Sequence, residues 1–77
     1  MQSTSKIEID AGAFNAIKKN ASLLCNGVVK IHEDFNIGDG IDVVLNDTNV
    51  AKGIAKISSN EISDNIVLIH VDDLIIL

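Results

Sequence analysis

A small, closed, mainly β member of the mixed α/β class is what the sequence predicts: a barrel of about six short strands with one main helix. Three observations lead there. Apolar and polar residues alternate in several short runs, the period of half-buried strands. Helical spacing occurs in one place only, after Asp10. Finally, 77 residues with 47% hydrophobic composition, two Phe and no Trp or Tyr must build one core from Ile, Val, Leu and Ala. A chain of that length holds together only if it closes tightly with short loops.

The elements follow in order. Residues 1–5 read as a flexible N-terminus and 6–77 as a single domain. "KIEID" (Lys6 to Asp10) is a strand with Ile7 and Ile9 inward. Asp10 caps a helix over Ala11 to Lys19, with Phe14, Ile17 and Ala21 inward and Asn15, Lys18 and Lys19 in water. Gly27 permits the change of direction before "VVKIHE", where alternation places Val29 and Ile31 on one face. "FNIGDG" is a turn, and "IDVVLN" is a strand with Ile41, Val43 and Leu45 inward. The turn Asp47 to Asn49 joins it to "VAKGIAKIS" in a hairpin. There Ala51, Gly53 and Ala55 share a face too small to fill space, which requires a close neighbour, expected to be the helix. "SSNEISD" makes a turn or one serine-capped helical turn, and "NIVLIHV" and "DDLIIL" supply the last strands.

Charge and composition exclude several functions. The formal charge is −5, with six Lys, no Arg and eleven acids, which opposes long-range attraction to nucleic acid or anionic lipid. The N-terminus lacks the layout of a secretory signal, and no apolar run approaches the roughly 18 residues of a membrane span, so a cytoplasmic, membrane-free protein is expected. One cysteine, Cys25, cannot form an intramolecular disulfide, and zinc-ligand spacing is missing.

No residue pattern here supports catalysis, a metal or a cofactor. "GDG" (Gly38 to Gly40) precedes a strand and carries its own negative charge, unlike a phosphate-cradling loop at a helix start. His70 with Asp72 and Asp73 is the best titratable cluster, but on one strand Asp72 shares the face of His70 while Asp73 points away. It reads as a surface pair. Cys25 has no visible base to activate it and reads as a packed thiol, redox-sensitive only if its loop is open. Lys18, Lys19, Lys30, Lys52 and Lys56 are the material for any basic patch.

Five separated motifs then coincide with one family. "IDAGAFNAI", "SLLCNGVVKI", "DFNIGDGIDVV", "VAKGIAKISSNEI" and "IHVDDLIIL" stand in the order found in the PUA domain, an RNA-associated module. The chain resembles most the C-terminal PUA domain of bacterial glutamate 5-kinase. It departs from the pattern at Cys25, where proline is usual, at Val71, where a basic residue is common, and in a shortened segment between Ser59 and Asn65. The resemblance implies a PUA-like pseudo-barrel over 6–77 and a parent enzyme that phosphorylates L-glutamate with ATP on the route to proline. The kinase domain that performs this transfer is not in these residues, so the chain itself is expected to be no enzyme. Its implied role is that of a regulatory or assembly domain, with the parent's kinase domain or a homo-oligomer as partner. The alternative is a free-standing RNA-binding module. The family's RNA-facing surface carries over to Lys18, Lys19, Ser22, Asn26 and Gly27, with lysines supplying charge and the glycine loop close approach. A third reading, an unrelated β-barrel binding a protein through a strand edge, would lack the helix between the first two strands.

Overall fold

Ile7 and Ile9 do face inward, on a strand that begins at Ser5. A computed structural model describes residues 5–77; residues 1–4, the bulk of the expected flexible N-terminus, lie outside it. Among the described residues are seven strands and one α-helix: β1 (Ser5–Ile9), α1 (Ala11–Lys18), β2 (Leu23–Leu24), β3 (Val28–Ile31), β4 (Gly40–Leu45), β5 (Thr48–Ile54), β6 (Val67–Ile69) and β7 (Leu74–Ile76). Short 3-10 turns occupy Cys25–Gly27, Ser59–Glu61 and Val71–Asp73. The strand beyond the expected six is β2, only two residues long and preceded by a polar run, too short to show a period.

Five strands form one sheet in the order β3-β1-β4-β5-β7, and β2 and β6 pair separately. β1 runs antiparallel to β3 but parallel to β4, so its second edge is paired only after everything from α1 to β3 has been spent. β6 closes over the inner face of the large sheet: the Lys56 amide donates to the Leu68 carbonyl, and the Cys25 amide to that of Ile66. Ile7, Leu23, Ile41, Val43, Ala51, Leu68 and Ile69 are fully or almost fully buried between these layers. The core is aliphatic, as the composition required, with Phe35 its one buried aromatic. Ser59 fastens the Phe35 loop, its amide donating to the Phe35 carbonyl and its Oγ accepting from the Phe35 amide.

Asp10 caps α1 as expected: its side chain accepts from the Ala13 amide at 2.7 Å. The helix ends at Lys18, with Lys19 as its cap and Asn20 at a positive φ of 67° turning the chain away. Ile17 is buried, and Phe14 and Ala21 are half-buried.

Four local expectations need correction. Val29 points outward and is 63% exposed, because a bulge pairs Ile9 with Val28 and Glu8 with Lys30, leaving Val29 out of the alternation. The hairpin turn is Asn46-Asp47 rather than Asp47 to Asn49; φ values of 52° and 64° at those two residues match the mirror-image turn that suits twisted strands. A second bulge between Val43 and Val44 buries both, so Leu45 is only half-buried. The neighbour that demands Gly53 is not the helix. A Cβ there would lie 2.5 Å from Ile69 Cγ2 and 2.8 Å from the Asp73 carbonyl oxygen, so β6 and the 71–73 turn are what press on β5.

Candidate functional site

The helix and the loop after it enclose a cleft of about 310 Å³. Gly12, Ala13 and Ala16 form its helical wall, Ala21 to Leu24 the facing wall, and Asn26 and Gly27 its floor, with Asp10 at one end. Small side chains on one face of α1 make the space. Gly27 is there because the helix is so close: a Cβ on it would meet Ala13 Cβ at 2.5 Å. Its carbonyl accepts from the Asp10 amide at 3.0 Å, which ties the cleft floor to the start of the helix.

Of the five positions expected to face a ligand, Ser22, Asn26 and Gly27 line this cleft. Lys18 and Lys19 do not. Lys18 lies on another face of α1, its Nζ 4.5 Å from the centre of the Phe14 ring, a cation–π contact. Lys19 sits at the helix cap. The Ser22 hydroxyl accepts from the Val71 amide at 2.9 Å, so it holds the 71–73 turn as well as the cleft wall. Gly12, Ala13, Ala16, Leu23 and Leu24 also line the cleft and were not singled out from sequence as site residues. The only signal for the helical ones was the run of small residues in "AGAFNA", which equally fits close packing.

The remaining lysines do not gather. Lys30 stands opposite Glu8 across β3 and β1, and Asp42 lies between Lys6 and Lys52 in one row across β1, β4 and β5. Acids alternate with lysines across the strands of this sheet, so the lysines do not add up to a basic patch there. His32 Nε2 hydrogen-bonds Glu8 Oε2 at 2.6 Å.

His70 is not on a strand with Asp72. It precedes the 71–73 turn, and its Nδ1 accepts from the Asp72 amide at 3.1 Å. The same nitrogen lies 3.6 Å from Asp72 Oδ2, so the two side chains do meet at the surface. Cys25 is 4% exposed and belongs to the core, which removes the open loop that redox sensitivity needed. Asp39, in the "GDG" turn, accepts from the Asn36 amide at 2.8 Å and closes the turn on itself, with Gly38 at a φ of 91°. Among the described residues no group of three His, Cys, Asp or Glu is placed to hold a metal, and no helix is long and apolar enough to cross a membrane.

Comparison with known proteins gives this geometry a family. The PUA domain pattern matches residues 5–66. The chain belongs to the PUA domain family. A crystal structure of a PUA domain from Aeropyrum pernix K1, a tartrate complex, superposes with a TM-score of 0.66 and 25% identity over 86% of this chain and 42% of that one. Among curated proteins, glutamate 5-kinase of Prochlorococcus marinus strain AS9601 is 44% identical over 64 residues, 80% of this chain but 18% of that enzyme. The probable glutamate 5-kinase of Schizosaccharomyces pombe is 36% identical over 64 residues, covering 80% and 16%. The PUA domain described here thus spans under a fifth of the length of these relatives.

Proposed function

We infer that this PUA domain is a non-catalytic accessory domain of a cytoplasmic glutamate 5-kinase, acting on assembly or regulation of the enzyme that opens proline synthesis. The asymmetry of coverage carries the reading: 80% of this chain matches 18% of the kinase, so what is shared is one module of a longer enzyme. The test is deletion of the domain from a full-length parent. Glutamate phosphorylation is expected to survive, while the mass of the oligomer or its feedback inhibition changes. Unchanged mass and unchanged feedback would overturn the reading.

A free-standing RNA-binding module is the second reading, supported by the convergence of Ser22, Asn26 and Gly27 on one cleft. It expects salt-sensitive binding of structured RNA at that cleft, weakened by charge removal at Lys18 and Lys19. An immunoblot of source cells separates the two. A band several times the mass of this chain supports the kinase appendage, and a band at 8.2 kDa supports the free module.

A further inference from the structure

We propose that the cleft between α1 and β2 docks an extended protein segment presenting an apolar side chain with a lysine or arginine beside it. This rests on the accessory-domain reading and names the contact through which such a domain would act. Three properties of the cleft select this partner. Its walls are largely apolar, made by Ala13, Ala16, Leu23 and Leu24, and its volume, at the small end of the range of about 300–1,000 Å³ for ligand pockets, has room for one large side chain. The apolar surface continues outside: Leu24 is 36% exposed and Ile66, whose carbonyl bonds the Cys25 amide, is 39% exposed.

The second property is a half-paired strand. β2 is bonded to β6 on one side only; Leu23 is buried, and Leu24, 36% exposed, is the residue that an extended segment laid along the cleft would meet. The third is charge. Asp10 is the one charged residue in the lining, and its Oδ1 accepts from the Ala13 amide. The start of α1, which would otherwise favour a phosphate, is held by the protein's own carboxylate. A phosphate entering the cleft meets Asp10 with no lining cation to offset it, in a chain of net charge −5. A lysine or arginine entering the same space is attracted.

The test is an amide NMR titration of the 77-residue chain with a blocked peptide of core Thr-Leu-Lys-Val, its Thr-Leu-Glu-Val counterpart, and a short RNA stem–loop at moderate salt. The lysine peptide is expected to move the amides of Ala16, Leu24 and Asn26 saturably and to bind about tenfold tighter than the glutamate peptide. Asp10→Asn keeps a capping side chain and should erase that preference. Ala16→Leu, made at an exposed position, fills the cleft and should abolish the shifts while the spectrum stays dispersed. Equal binding of the two peptides, no saturable response to the lysine peptide, or RNA moving these amides and tightening in Asp10→Asn would each overturn the proposal. The deletion experiment on the parent enzyme reads mass and feedback independently of these shifts, so the accessory role can stand if the docking proposal falls.

Discussion

At the residue scale, two small side chains decide how closely the layers approach. Gly53 lies against Ile69 and the Asp73 carbonyl, with backbone as one of the two obstacles, so a methyl group there cannot be accommodated by a rotamer change alone. Gly53→Ala is therefore expected to cost about 1–3 kcal/mol in chemical denaturation, the range of an overpacked core. Gly27→Ala meets Ala13 Cβ and should move α1 outward, widening the cleft as well as lowering stability. Cys25 makes the opposite kind of prediction, since it is buried without a polar task. Its thiol should react with an alkylating reagent only as fast as the core opens, and Cys25→Ser should destabilise by about 1–3 kcal/mol through burial of a hydroxyl. Rapid modification of the native chain would show that the Cys25–Gly27 turn opens locally.

At the element scale, α1 depends on Asp10 for its first turn. Asp10→Ala should cost about 0.5–2 kcal/mol, whereas Asp10→Asn should be nearly neutral, as compared by thermal melts followed at the helix band. The β4–β5 hairpin has both turn residues at positive φ, which asparagine and aspartate tolerate and glycine prefers. Asp47→Gly is expected to raise stability slightly, by up to about 0.5 kcal/mol, with chain entropy offsetting part of the gain. Much of this layer was legible in sequence, because period and caps are local properties. Ile7 and Ile9, the Asp10 cap and the buried face of Ala51, Gly53 and Ala55 all read directly. The bulges at Val29 and Val43–Val44 did not, because an extra residue in one strand is fixed by its partner's register and leaves no mark on its own composition. For the same reason Gly53 announced a close neighbour without naming Ile69. The cleft was half legible: the glycine loop pointed to Ser22, Asn26 and Gly27, but whether Lys18 joins them depends on helix phase, and Phe14 draws it elsewhere.

At the scale of the whole molecule, stability is built from pairs far apart in the chain. β1 needs β4, and β5 needs β7. Non-local pairing of this kind slows the search for the native state, so refolding from denaturant is expected in the millisecond-to-second range, single-exponential by stopped-flow fluorescence of an introduced probe. A microsecond phase of full amplitude would contradict the topology. The parallel pairing of β1 with β4 has a further effect during synthesis. Thirty-one positions separate Ile9 from Gly40, and at about 5–20 residues per second the ribosome takes about 1.5–6 s to supply them. Until β3 is made, Ile7 and Ile9 have no strand on either edge, and from Ile31 to Gly40 they have β3 on one edge and nothing on the other. The strand made first is thus the one that waits, and a translational pause placed before Gly40 would prolong the exposure of two residues that the finished domain buries almost completely.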